Sequence, residues 1–123
     1  MVKKILIVDD DIWMTKVLHK IIKNLGYSHI DLVYNGFEAV AKSLEQKPNL
    51  IFLDLMMPEL DGLTTLKLLK IIPDTQLSKV IICSGNNDMD SLTKALKLGA
   101  IDFISKPFTA EIIKTKLDIV FGE

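Results

Sequence analysis

Two short apolar runs, Ile5-Leu6-Ile7-Val8 and Leu50-Ile51-Phe52-Leu53, each break off in carboxylates: the first in Asp9, Asp10 and Asp11, the second in Asp54. Runs without polar alternation suit strands covered on both faces, the environment of a parallel sheet. In open sheets of that kind, ligands bind in the crevice beyond the carboxyl ends of the strands. The two acidic ends are therefore expected to point into one crevice.

Short apolar runs alternate along the chain with longer segments of helical period, the pattern of consecutive βαβ units. Strands are expected at Lys4 to Val8, His29 to Val33, Leu50 to Asp54, Val80 to Cys83 and Ile101 to Ile104. Between them, Val17, Leu18, Ile21, Ile22 and Leu25 share one helical face, and Phe37, Val40, Ala41 and Leu44 share another. Leu63, Leu66 and Leu69 mark a third helix, Leu92, Ala95 and Leu96 a fourth, and Ile112, Ile113, Leu117 and Val120 a fifth. Five βα units are too few to close an eight-stranded barrel, so the expected fold is α/β, an open doubly wound five-stranded parallel sheet with five helices.

A chain of 123 residues with 49% hydrophobic content fits one domain spanning residues 1–123 and argues against disorder. A net charge of -1 and a pI near 6.1 leave no basic footprint for direct nucleic-acid binding or attachment to a membrane surface. No apolar stretch approaches the ~20 residues of a spanning helix, and the start of the chain runs straight into a strand instead of a signal-peptide core. A cytoplasmic location follows as an expectation. The single cysteine, Cys83, excludes an internal disulfide and a cysteine-based metal cage, and reads as a small buried hydrophobe.

Bringing Asp9, Asp10 and Asp54 together costs repulsion unless a cation compensates it, and hard oxygen ligands of this kind suit magnesium. Magnesium takes one or two carboxylates, several waters and phosphate oxygens, which fits phosphoryl chemistry. For Asp10 and Asp11 the plainer alternative is helix capping, since aspartate at a helix start accepts backbone N–H bonds. Asp54 has no such explanation, because a turn, Glu59-Leu60-Asp61-Gly62, precedes its next helix. Two later residues occupy matching positions. Ser84 closes the fourth strand and Lys106 follows the fifth, just before Pro107. A hydroxyl can bond a phosphoryl oxygen and an ammonium can neutralise one, although singly Ser84 reads as a turn residue and Lys106 as surface charge.

The ordered set Asp9-Asp10, Asp54, Ser84 and Lys106-Pro107 resembles the receiver domain of two-component response regulators, in particular single-domain, chemotaxis-type members. The resemblance runs from about Lys3 to the last helix. It implies a flavodoxin-like sheet of strand order 2-1-3-4-5. Asp54 would be the phosphoryl acceptor, taking the group from a phosphohistidine on a sensor histidine kinase or histidine phosphotransfer protein. Mg2+ would be held by Asp10, Asp54 and the backbone carbonyl of Met56, with Asp9 acting mainly through a bound water. Lys106 would pair with Asp54 in the unmodified state and with the phosphoryl group afterwards. Ser84 would move toward that group, and Phe103 would follow as the switch aromatic, plain core packing being the alternative for this ring. A cis Lys106-Pro107 peptide is also implied. The resemblance describes a phosphorylatable signalling switch instead of an enzyme, with slow self-dephosphorylation.

Met56, two residues after the acceptor, departs from the polar residue of many relatives, which leaves Asn86 as the polar group near the attacking water. Trp13 reads as a rim residue or a core anchor. Lys94, Lys97, Lys114 and Lys116 read as a solvated face, or as part of a docking surface for a downstream target on the fourth helix, fifth strand and fifth helix. The chain is expected to be a stand-alone receiver. Alternatives are a fragment of a larger regulator or hybrid kinase, a haloacid-dehalogenase-type phosphatase, and a nucleotide-binding module. Met56 stands where such a phosphatase needs a second acid, and no glycine-rich phosphate loop follows Val8.

Overall fold

The computed structural model describes residues 2–85 and 89–122. Asn86, and with it the expectation about water, lies outside them. Strands β1 (Lys4–Val8), β2 (His29–Val33), β3 (Leu50–Asp54), β4 (Lys79–Ser84) and β5 (Asp102–Ser105) alternate with helices α1 (Ile12–Asn24), α2 (Gly36–Gln46), α3 (Gly62–Ile71), α4 (Met89–Lys97) and α5 (Ala110–Phe121). The strands form one parallel sheet of order β2-β1-β3-β4-β5. The first three match the sequence expectation to the residue. The fourth is longer by one residue at each end, and the fifth is displaced by one, with Ile101 outside it and Ser105 inside.

Strand periodicity divides the core into two layers. Leu6, Val8, Ile51, Leu53, Val80 and Ile82 pack with Ala39, Leu66, Leu69, Leu92 and Ala95, on the side of α2, α3 and α4. Their neighbours Ile5, Ile7, Leu50, Phe52, Ile81 and Cys83 pack with Leu18, Ile22, Ile113 and Leu117 of α1 and α5. A fully buried side chain of this size contributes about 1.5–3 kcal/mol. Phe52, the largest fully buried side chain, sits on the central strand, and Phe52→Ala would cost about 3–5 kcal/mol through the cavity it leaves.

The second helix corrects the sequence reading. Its buried residues are Gly36, Ala39 and Ser43, while Phe37 is 60% exposed and Ala41 and Leu44 also face solvent. α2 has more apolar positions than one face can hold, and close approach to α3 selects the small ones. A Cβ on Gly36 would collide with Thr65 Oγ1 and come within 2.9 Å of the Leu60 side chain.

Helix starts are set by side chains at the carboxyl ends of the sheet. Asp11 caps α1, accepting from the N–H groups of Trp13 and Met14 at 3.0 and 3.2 Å. Asn35 caps α2, Asp61 caps α3 and Thr109 caps α5. Such caps satisfy N–H groups that have no partner within the helix. The sheet's strand order reverses between β1 and β3, the place where doubly wound folds open a ligand crevice.

Candidate phosphoryl-acceptor and metal site

Asp9 follows β1 and Asp54 ends β3, so the two carboxylates reach the crevice from adjacent strands. Both are buried, each 5% exposed, whereas Asp10 is exposed. Carboxylate oxygens of Asp9, Asp10 and Asp54 all lie within 4.8 Å of one another. The Asp9 carboxylate is oriented by two contacts: the Asp11 N–H donates to Oδ1 at 2.9 Å, and the Lys106 ammonium donates to Oδ2 at 2.6 Å. Asp11 itself is the cap, which resolves the choice between the two adjacent aspartates.

Lys106 enters from the far side of the sheet. Its backbone N–H donates to the Ser84 carbonyl at 2.9 Å, tying the end of β5 to the end of β4 and placing both residues at the crevice. The Lys106-Pro107 peptide is cis, as the resemblance implied. The ammonium stands 3.7 Å from Asp54 Oδ1, so the expected pairing with Asp54 is present but Asp9 is the nearer partner. That difference was not legible in sequence, because both acids precede the lysine by many residues and only the sheet geometry ranks them.

The charge balance shifts the two central groups. Asp54 is pushed up to about 6, first by burial and then by the charge of Asp9, with Lys106 and the Met56 N–H at 3.4 Å pulling the other way. Burial alone would lower Lys106, but its hydrogen bond to Asp9 and the charges of Asp54 and Asp9 outweigh it and hold the ammonium above its ordinary value. One ammonium between two buried carboxylates, with a third at the rim, leaves room for another positive charge. The donor set is oxygen only, as magnesium requires.

The loop from Asp54 to α3 is held down by Gly62, whose N–H donates to the Leu55 carbonyl at 3.0 Å. A Cβ there would run into the Asp54 carbonyl and the Leu55 backbone, so only glycine lets α3 begin this close to Asp54. The loop turns through Glu59 at φ 66, an uncommon conformation for a side-chain-bearing residue. Met56 lies on this loop, 67% exposed, with its N–H toward Asp54.

Ser84 is buried at the end of β4, and Phe103 is 39% exposed, so its ring is not the core anchor that was the plainer alternative. Trp13 is 72% exposed, a rim residue with no anchoring role. Lys116 is paired with Asp102 and Lys114 with Asp118.

The response regulator receiver domain family matches residues 5–118. The chain belongs to that family. It is 39% identical over 115 residues to the chemotaxis protein CheY of Listeria monocytogenes, covering 94% of this chain and 95% of that one. It is 41% identical over 106 residues to a protein-glutamate methylesterase/protein-glutamine glutaminase of Archaeoglobus fulgidus, covering 85% of this receiver but 30% of that relative. A two-component response regulator of Clostridium difficile has the same fold, with a TM-score of 0.90, 30% identity and coverage of 98% and 97%. The receiver family is one of signalling switches, in keeping with a cluster of carboxylates that could hold a metal ion. Among the described residues no helix is long and apolar enough to cross a membrane.

Proposed function

We propose that this receiver takes a phosphoryl group from a histidine kinase or histidine phosphotransfer protein onto Asp54 and thereby changes its affinity for a downstream protein. The observation that carries the reading is the buried Asp54 carboxylate beside Asp9, Asp10 and Lys106 at the mouth of the central strand. An Asp54 oxygen attacks phosphorus, the phosphorus–nitrogen bond of the donor breaks, and the imidazole leaves. The product is an acyl phosphate on Asp54.

Asp9, Asp10, Asp54 and the Met56 carbonyl would hold Mg2+, which when bound neutralises charge on the transferring group. The chain's own contribution is Lys106, whose ammonium is within reach of both Asp9 and Asp54 and can follow the charge as it moves onto the phosphoryl oxygens. Phosphorylation adds about -1.5 to -2 charge and strong acceptor oxygens, toward which the Ser84 hydroxyl would turn. Phe103, one strand away and half out of the core, would move inward with it. Ile101, Leu96 and Ile112 of α5 are also exposed and, with Phe103, would form the face that a downstream protein reads. With Met56 contributing no polar side chain, self-dephosphorylation would be slow.

Incubation with Mg2+ and acetyl phosphate, followed by intact mass, tests the acceptor. One phosphoryl is expected on the native chain and none on Asp54→Asn. A gain that persists in that variant would remove the assignment, and continuous phosphate release from many small esters would favour a phosphatase.

A further inference from the structure

Lys94 and Lys97, exposed as a solvated face requires, also line a groove between α3 and α4. The groove has a volume of about 390 Å³ and is lined by Leu63, Thr64 and Lys67 of α3 and by Lys94, Lys97 and Leu98 at the end of α4. All three lysines are exposed. Among the described residues none of the three has an ion-pair partner, and no carboxylate lines the groove. This sets them apart from Lys106, Lys114 and Lys116, each of which is paired. Three uncompensated cations around a leucine floor repel one another and are stabilised by any ligand that brings negative charge.

We propose that this groove docks an acidic amphipathic helical segment of a partner protein, with leucine-like side chains on Leu63 and Leu98 and carboxylates on Lys67, Lys94 and Lys97. Two parallel walls contributed by helices, with an apolar floor, are the geometry into which a third helix lays its apolar face. A phosphate-bearing ligand fits less well. The α4 wall of the groove is its last turn, where the helix end is negative and the Leu98, Gly99 and Ala100 N–H groups are already bonded to carbonyls of that turn, so no N–H cradle is offered. Charge complementarity at lysine side chains suits carboxylates spread along a helix. The groove is separate from the crevice holding Asp54 and from the outer face of β5, so it provides docking whether or not the acceptor is modified.

The test uses a fluorescein-labelled peptide with leucines at helical spacing and glutamates between them, and a control in which glutamine replaces glutamate. Fluorescence anisotropy on the full chain should show saturable binding of the acidic peptide, weakened by salt, and no binding of the control. The triple variant Lys67→Glu, Lys94→Glu, Lys97→Glu should weaken binding by about tenfold or more, while the triple variant Lys16→Glu, Lys20→Glu, Lys23→Glu on α1 leaves it within about twofold. Both variants should keep the thermal transition and acetyl-phosphate labelling of the native chain, which separates this inference from the acceptor reading. The inference is overturned if the α1 variant loses as much as the groove variant, if the neutral peptide binds equally, or if inorganic triphosphate displaces the peptide at equal concentration.

Discussion

The Lys106 ammonium lies 2.6 Å from Asp9 Oδ2, nearer to that acid than to the proposed acceptor. A lysine clamped on the acceptor itself would have to break that contact before phosphorus could approach. Held more closely by the neighbouring acid, it makes no hydrogen bond to Asp54 yet stays close enough to meet charge that develops beside its oxygens. Its position is fixed from behind by the Lys106 N–H on the Ser84 carbonyl, so the same residue links the acid pair to the end of β4.

Replacing this cation has two consequences of opposite sign. In Lys106→Met, labelling by acetyl phosphate should slow on the order of 10²-fold, the loss typical of one preorganised charge at a reacting group. Mg2+ binding should tighten in the same variant, because a competing positive charge has left the carboxylates. Weaker Mg2+ binding, measured by titration calorimetry, would show that the lysine organises the metal ligands instead of competing with the metal.

The two glycines that let helices approach closely should not be exchangeable for alanine. Gly36→Ala presses on the Thr65 and Leu60 side chains, which can shift, and should cost about 1–3 kcal/mol. Gly62→Ala presses on the backbone of Asp54 and Leu55, which cannot, so its cost should be the larger and its acetyl-phosphate labelling should fall as well. Urea denaturation of the two variants ranks them; equal midpoints would show that the α3 start moves freely.

How much of this was readable beforehand depends on how local each cause is. The first and third strands are legible to the residue because an apolar run ends abruptly at a carboxylate, as Val8 does at Asp9, and the second because the alternation of Ile30, Asp31 and Leu32 stops at the turn residues Asn35 and Gly36. The site's membership is legible for the same reason, each group standing at a strand end. The inner face of α2 is not, because Phe37, Ala41 and Leu44 satisfy helical periodicity as well as Gly36, Ala39 and Ser43 do, and only the distance to α3 decides between them. Nor is the pairing of the lysines. Lys116 with Asp102 and Lys106 with Asp9 bring together residues from different elements, and the free set at the α3–α4 groove emerges only once those pairs are drawn.

Cys83 should be chemically silent in the native protein. It packs in the sheet's α1–α5 layer beneath the acids, and burial, opposed by Lys106 and reinforced by Asp9 and Asp54, pushes its thiol up to about 12. Thiolate is the reactive form, so at pH 8 a disulfide reagent should label the folded chain on the order of 10³-fold more slowly than an ordinary thiol, before any steric protection. Labelling at the unfolded rate in the absence of denaturant would show that β4 opens readily.

Adjacent aspartates with different structural partners should respond differently to magnesium. Asp11→Ala removes the side chain that accepts from Trp13 and Met14 and should cost about 1 kcal/mol of stability, with Mg2+ affinity preserved. Asp10→Asn keeps a polar side chain but removes one of three clustered carboxylates, so in the presence of a chelator its thermal midpoint should equal or exceed the native one. Added Mg2+ separates them further. At a metal concentration of 100 times its Kd the native chain should gain about 2.7 kcal/mol, as should Asp11→Ala, because the metal binds only the folded form. Asp10→Asn should gain much less at that same concentration. Scanning calorimetry of the three proteins with and without chelator measures all of this, and an Asp10→Asn protein stabilised as strongly as the native chain would place the metal on Asp9 and Asp54 alone.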